Sequence, residues 1–556
     1  MENFSLIDMM DANSLPLKNR VGKEGYYAPE ETLIPTVPLQ EGEQYRFHFD
    51  MSRCVGCQCC VVACNEQNNN PSSVTWRRVG EIEGGVYPQT KRYHLSMACN
   101  HCLDPSCLTG CPTDAYVKDA ATGVVKHKAE ECIGCQYCTW NCPYGVPQFN
   151  PERNIVTKCD MCHARLADGM APACVGACPE KAIRIEKVSV AQWREDHTQA
   201  NAPHVPESAL TISTTRITLP KDMPEEMLKA NRHHVQPEKP HFSLIFMTVL
   251  TQLAAGGFLT LWLGDLFSHV FDFLKPLQNF LVFGACGILA VTGIALSASM
   301  FHLGRPLHAY KALRMWRRSW LSREVLFFSL FSFSGAGYAT LLLAAYFLHF
   351  HVPPMVSLCF GGVVALSGIA GIYASAKIYL VPARPAWNTF RTPLRFFLTG
   401  FILGPLFSLA IYSFYLVMTA PNQKVSHETV GPILTWLGIS SLAALFQLSV
   451  LVGRLIHLTR PDLPEYYDSA LLLTRRFKTH FLVRIGLLVL GSFILPLCLF
   501  DLLTRGPLPV TPVAVFAGVC FFFAFLGEIL GRYLFFVTVV PKNMPGSFFT
   551  TNGGAH

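Results

Sequence analysis

Seventeen of the chain's 21 cysteines fall between Cys54 and Cys178, in four runs of four with one left over. The first run is Cys54, Cys57, Cys60 and Cys64; the second is Cys99, Cys102, Cys107 and Cys111, followed by Pro112. The third is Cys132, Cys135, Cys138 and Cys142 before Pro143, and the fourth is Cys159, Cys162, Cys174 and Cys178 before Pro179. Each is a variant of the C-x2-C-x2-C-x3-C-P pattern that holds iron–sulfur clusters in two-cluster ferredoxins. Three thiolates on one tight loop reach three irons of a cubane, while the fourth points away to a neighbouring cluster. Gly56 and Gly134 stand where the loop must turn tightly and approach inorganic sulfide. Structural zinc sites pair two C-x2-C units, and a triple-plus-one pattern repeated four times does not fit them. Cys59 would create a C-x-C step that breaks the register, so it reads as a spare small side chain. Asn65 stands where the other runs have proline.

Composition separates this region from the remainder of the chain. The protein has 556 residues, 51% hydrophobic and 15% charged, against about a quarter charged in ordinary soluble proteins. Divided at His241, the first part carries net −5 and the second +12. This excludes a disordered chain, a single soluble enzyme domain and a small disulfide-stapled protein. The segment MENFSLIDMMDANSLPLKNR has no basic n-region or apolar h-region, and Arg77-Arg78 lies far inside the cysteine region. The expectation is a cysteine module kept in a reducing compartment, where dense cysteines are metal ligands.

After His241, eight apolar stretches long enough to cross a bilayer begin near Phe242, Gln278, Val325, Met355, Leu394, Gly431, Phe481 and Pro512. Trp316, Trp320, Tyr379, Trp387 and Tyr533 sit near their ends, as interface anchors do. The loops 302–324, 377–395 and 454–484 carry 16 Lys and Arg, whereas the opposite loops carry only Lys275, Lys424 and Arg505. By the positive-inside rule the basic loops, and the N-terminal module with them, face the cytoplasm. The fold class expected is therefore two-part: an α+β double ferredoxin-like 4Fe–4S module, then an all-α polytopic bundle of eight transmembrane helices. The expected divisions are an extension over 1–46, the cluster module over 47–187, a linker over 188–240, the anchor over 241–540 and a tail over 541–556. Within the linker, STTRITLP predicts a short strand and PEEMLKANRHH a short helix; His233-His234 reads as solvated rather than metal-binding.

CNHCLDPSCLTGCPTDAY, CIGCQYCTWNCPYGVPQFNPE and TKCDMCHARLADGMAPACVGACP resemble the four-cluster subunit of the dimethyl sulfoxide reductase family of molybdopterin enzymes. FHLGRPLHAYKAL, LSREVLFFSLF, TPLRFFLTGFILGP and GEILGR resemble that family's eight-helix membrane anchor. The resemblance implies four 4Fe–4S clusters in nested sets. Cys54, Cys57 and Cys60 go with Cys178, and Cys159, Cys162 and Cys174 with Cys64. Cys99, Cys102 and Cys107 go with Cys142, and Cys132, Cys135 and Cys138 with Cys111. It further implies a haem-free anchor that exchanges electrons with quinone or quinol, and a partner large subunit holding the molybdopterin. His269, His302, His308, His349, His351, His427, His457 and His480 lie at span ends or loops, so no mid-membrane pair is placed to clamp a haem iron.

Quinol chemistry needs a proton-exchanging group close to an electron acceptor, and histidine titrates near neutrality. His302 ends the second span, Arg305 follows by one helical turn and Glu324 opens the third on the same side, so these are the quinone-site candidates. Glu528 and Arg532, four apart, read as a self-neutralising helical pair. Cys286, Cys359, Cys498 and Cys520 read as packing residues. The function expected is electron relay between the membrane quinone pool and a separate molybdenum subunit, in the inner membrane of a bacterium or archaeon. A cytoplasm-facing sulfite dehydrogenase-type complex running toward quinone is one alternative, and a redox-linked ion pump or transporter subunit is another. No nucleic-acid partner is indicated.

Overall fold

The computed structural model describes residues 32–232, 235–421, 423–459 and 464–545. Most of the N-terminal extension, the end of the tail and His233-His234 lie outside the described residues. The first part is built on two three-stranded sheets and two small hairpins. Strand β1 (Glu43–Asp50) is flanked by antiparallel β8 (Ile183–Ser189) and parallel β9 (Arg216–Thr218). Strand β2 (Arg78–Gly84) lies between β3 (Lys91–Met97) and β10 (Met227–Lys229). The hairpins are β4 (Tyr116–Lys118) with β5 (Val125–His127), and β6 (Gln148–Asn150) with β7 (Ile155–Thr157). Phe47, Phe49, Ile82, Leu95, Ile183 and Ile185 turn inward and pack around the cysteines. The cysteine runs occupy loops ending in helices of one or two turns, such as Ser106–Gly110 and Tyr137–Asn141.

The segment 188–240 does more than link. STTRITLP supplies β9 as expected, but PEEMLKANRHH forms β10 at Met227–Lys229 rather than a helix. An open edge of β2 and a pocket that buries Met227 outweigh the helical propensity of a short exposed stretch. Both strands therefore belong to sheets of the cysteine-bearing part.

Among the described residues, the second part is built on eight long apolar helices. They are α1 (Phe242–Ser268), α2 (Leu281–Met300), α3 (Trp320–Leu348), α4 (Pro354–Ile378), α5 (Arg391–Thr419), α6 (His427–Leu458), α7 (Lys478–Arg505) and α8 (Val510–Val537). All are long and apolar enough to cross a membrane. Several begin a few residues earlier than hydropathy places them, because their first turns include polar residues of the basic loops. Helix α7 passes through a π-type turn at Leu490–Ile494. Pro496 leaves the Ser492 carbonyl without its helical donor, and Ser441 Oγ of α6 donates to it at 2.7 Å.

Helix α1 is the central one, and it crosses α5 at backbone contact. A Cβ on Gly256 would run into the Gly400 carbonyl, and one on Gly404 into the Gly256 peptide. Small residues are what allow helices to approach this closely in an apolar medium. Gly256→Val is expected to lower the midpoint of thermal inactivation in detergent, with an overpacking cost of about 1–3 kcal/mol or more. Gly293→Ala, where a Cβ meets nothing within 4 Å, should leave the midpoint unchanged.

Candidate functional site

The four cysteine runs share a backbone device. The residue before the second cysteine is left-handed in each: Gly56 (φ 72°), His101 (φ 45°), Gly134 (φ 71°) and Met161 (φ 62°). Three positions after the last cysteine of the second, third and fourth runs, Asp114, Gly145 and Lys181 are left-handed too, at 61°, 63° and 49°. These turns aim peptide N–H groups at sulfur. Gly134 N donates to Cys132 Sγ and Met161 N to Cys159 Sγ, both at 3.4 Å. Ala115 N reaches Cys111 Sγ and Ala182 N reaches Cys178 Sγ, both at 3.3 Å. Holding non-glycine residues left-handed costs of order 1–3 kcal/mol each, and such strain collects at functional sites. Successive inward N–H groups form a concavity suited to an anionic group.

The runs are also brought together across the chain. Cys54, Cys57, Cys60 and Cys178 surround one small cavity, and Cys99, Cys102, Cys107 and Cys142 another. Cys64 stands within electrostatic reach of Cys162 and Cys174, and Cys159 within reach of Cys64 and Cys174. Cys111 neighbours Cys132, Cys135 and Cys138 in the same way. Each group thus combines three cysteines of one run with the last cysteine of another. Among the described residues, no three ligand side chains converge on a point that would hold one ion. Sulfurs standing around a space, with N–H donors behind them, fit a multi-iron cluster better than a single zinc. Cys59 lies exposed beside Cys57, outside these groups.

The third run sits directly on the helical part. Gly134 and Gly304 meet backbone to backbone: a Cβ on Gly134 would stand 2.8 Å from Gly304 Cα and 2.6 Å from the Asn154 carbonyl. Trp140 enters an aromatic box of His241, Tyr379, Trp387 and Phe536, with ring centroids 5.5–6.1 Å away. Under this contact lies a cavity of about 260 Å³. Cys135, Tyr137, His302, Glu324, Tyr379 and Thr251 are among the residues that line it.

His302 and Glu324 therefore face one space, with a cysteine of the third run on its wall. His302 Nδ1 and Glu324 Oε1 are buried; the Ser299 backbone acts on the imidazole and the Ser375 hydroxyl on the carboxyl. Burial pushes the His302 pKa down to about 4, so its imidazole is neutral near pH 7. Arg305 is placed differently from its two companions and does not line the cavity. Its guanidinium donates to the Ala129 carbonyl at 2.9 Å and its backbone N–H to Ile133 O at 3.0 Å, a docking role. Tyr137, Trp140 and Tyr379 are lining residues that sequence reasoning missed as site residues; the tryptophan inside the run CTWNC was the available signal.

Glu528 and Arg532 act on each other electrostatically, but among the described residues neither takes the other as its direct partner. Arg532 donates to Gln252 Oε1 at 2.6 Å, while Glu528 accepts from Thr399 Oγ1 at 2.6 Å and stands 3.8 Å from Arg484. Side chains from α1, α5 and α7 offer each a better-oriented partner than the neighbour one turn away on α8.

The family model of the DMSO reductase anchor subunit (DmsC) matches residues 237–537, and that of the 4Fe-4S dicluster domain matches 90–188. The chain belongs to the DMSO reductase anchor-subunit family. It carries an iron–sulfur dicluster domain ahead of the family's helices, and so is an electron-transfer and anchor subunit of a DMSO reductase-like complex. Among similar proteins is an anaerobic dimethyl sulfoxide reductase chain of Haemophilus influenzae, 38% identical over 178 residues that make up 30% of this chain and 86% of that protein. The probable anaerobic dimethyl sulfoxide reductase chain YnfG of Escherichia coli K12 is 39% identical over 168 residues, 29% of this chain and 82% of its own length. A sulfite dehydrogenase subunit of Allochromatium vinosum is 35% identical over 155 residues, 24% of this chain and 65% of that one.

In this family member the aromatic box makes a direct prediction. Trp140→Ala should cost about 3–5 kcal/mol of stability, as for other large buried aromatics. It should also raise the rate of limited proteolysis in the segment before α1, relative to Trp140→Phe.

Proposed function

We propose that the chain exchanges electrons with membrane quinone at the cavity holding His302 and Glu324, and relays them through four 4Fe–4S clusters to a molybdopterin-bearing large subunit. The observation that carries this reading is the common wall: Cys135 lines the same cavity as His302 and Glu324. The sixteen cysteines of the four groups are the proposed ligands, with residues 47–187 as the core of the cluster module and 241–540 as the anchor. Clusters held there supply one-electron stepping stones from the cavity to the outer face. That outer face is the first run, where Cys57 and Val55 are exposed.

Quinol gives up two protons with its two electrons, so the cavity must provide acceptors beside the ring oxygens. His302 Nδ1 and Glu324 Oε1 are the buried acceptor atoms proposed for the two protons. The apolar lining from α1, α3 and the third run suits the ring and the start of an isoprenoid tail. Arg305 serves by holding the third run against this cavity rather than by touching quinone.

The electron direction proposed is from quinol outward, in anaerobic or sulfur respiration with the large subunit reducing its substrate. The likeness to a sulfite dehydrogenase subunit supports a second reading, in which the same path runs toward quinone. The excess of Lys and Arg on the loops nearest the cluster module supports a cytoplasm-facing module in the inner membrane of a bacterium or archaeon.

Two measurements test this. His302→Phe and Glu324→Gln should each slow quinol-driven cluster reduction by about tenfold or more, general acid–base groups being worth ~10²–10⁴-fold. Dithionite-reduced EPR spectra should be unchanged in both. Unaltered quinol-driven rates in both variants would sink the quinone site. Independently, a phosphatase fused after His556 should be inactive and a fluorescent reporter active, and the reverse pattern would invert the topology.

A further inference from the structure

Burying a charge without a counter-charge costs several kcal/mol, so cations in protein interiors sit against carboxylates or other anions. The cluster module keeps this rule at Arg46, buried and paired with Glu186 at 2.7 Å. Arg77 and Lys158 depart from it. Arg77 is 2% exposed, its Nη1 donates to the carbonyl and hydroxyl of Ser96, and its Nε and Nη2 are buried with no partner among the described residues. Its guanidinium lies over the Phe47 ring at 4.8 Å. Lys158 is 3% exposed, and its ammonium is bound by the carbonyl oxygens of Val125 and Cys159. Among the described residues neither makes an ion pair with a carboxylate.

The groups acting most on these cations are thiols, with Asp160 also acting on Lys158. The thiol groups acting on Arg77 are those of Cys174, Cys60, Cys159 and Cys64. Cys60 belongs to the group of Cys54, Cys57 and Cys178, and the other three belong to the group with Cys162. Arg77 therefore stands between two cysteine groups. Ser96 joins it to one of them, since its hydroxyl lies 3.3 Å from Cys60 Sγ. Lys158 lines the cavity of Cys99, Cys102, Cys107 and Cys142, and its chain neighbour Cys159 belongs to the next group. The two cations thus occupy the junctions between three successive groups.

We propose that Arg77 and Lys158 are positioning residues for electron flow, each a fixed positive charge that raises the reduction potentials of the two clusters it separates. This rests on the reading of the cysteine groups as 4Fe–4S sites. Reduction adds one electron, and no proton, to a cluster already made negative by its four thiolates. A nearby cation in a low-dielectric interior stabilises the reduced form more than the oxidised form. Clusters beside Arg77 and Lys158 then accept electrons more readily than the same cysteine sets alone would. The arrangement draws electrons away from the quinone cavity toward the exposed first run. It also explains why two uncompensated cations are retained in a small core.

The test is redox titration of the assembled complex, followed by EPR, with Arg77→Met, Arg77→Lys, Lys158→Met and the unaltered protein. Arg77→Met is expected to lower the reduced-to-oxidised ratio of two clusters at least tenfold at a fixed solution potential, about 59 mV for one electron. Arg77→Lys should restore most of that shift, which a purely structural role would not require. Lys158→Met should shift a different, overlapping pair, and it carries the test alone if Arg77→Met fails to assemble its clusters. Normal cluster signals with unchanged potentials in the assembled variants would overturn the inference while leaving the iron–sulfur reading intact. Absence of 4Fe–4S signals from the unaltered protein would instead overturn that reading.

Discussion

The seating of the third cysteine run on the helical part is the contact on which the rest of the arrangement depends. It is made largely of directional backbone interactions, which tolerate little sliding. Besides the Gly134–Gly304 approach, Lys311 Nζ donates to Glu130 O at 2.9 Å, and alongside it Ser319 Oγ donates to Gly110 O of the second run at 2.6 Å. Trp140 adds the apolar share of the contact. One wall of the cavity comes from this run (Ile133, Cys135, Tyr137 and Trp140) and the others from α1, α2, α3 and their neighbours. The cavity therefore exists only when the two parts are docked. Fusing them in one chain keeps the docking intramolecular, so its stability does not depend on subunit concentration.

Several buried hydroxyls in the helical part are satisfied within it: Thr248, Thr251, Thr260 and Thr292 donate to carbonyls one turn back. At the cavity, His302 Nδ1 and Glu324 Oε1 are buried acceptor atoms beside the same contact. In a medium where an unmet hydrogen bond is costly, such atoms mark a place prepared for a polar ligand or water. The cysteine-bearing part repeats the pattern with charge, at Arg77 and Lys158.

What was legible in the sequence is what has a local period or spacing. Cysteine spacing marked the four runs, and hydropathy marked eight helices whose starts lie within a few residues of those observed. The misreadings concern contacts between distant segments. PEEMLKANRHH becomes an edge strand because β2, well over a hundred residues earlier, offers it hydrogen bonds. Arg305 shares a loop with His302 yet turns to Ala129, and Glu528 turns from Arg532 to partners on other helices. Trp140 stands within a cysteine run, and only the meeting of α4, α8 and the 380–390 loop reveals its box. Apart from the tryptophan inside its cysteine run, none of these carries a signature within its own segment. Each is set by which surface happens to be adjacent after folding.

The charge asymmetry of the loops has two physical origins, and separating them sharpens what it says. Of the 16 basic residues in the three loops, Arg305, Lys311, Arg314, Arg318 and Arg384 bind carbonyls or carboxylates of the part preceding α1. Arg395, Arg454 and Arg484 are buried among the helices. These eight are accounted for by docking and packing, whichever side of the membrane the module faces. The insertion argument rests on the other eight, which still outnumber the three on the opposite loops. The second class, rather than the total, is therefore the charge pattern that bears on the proposed orientation of this chain.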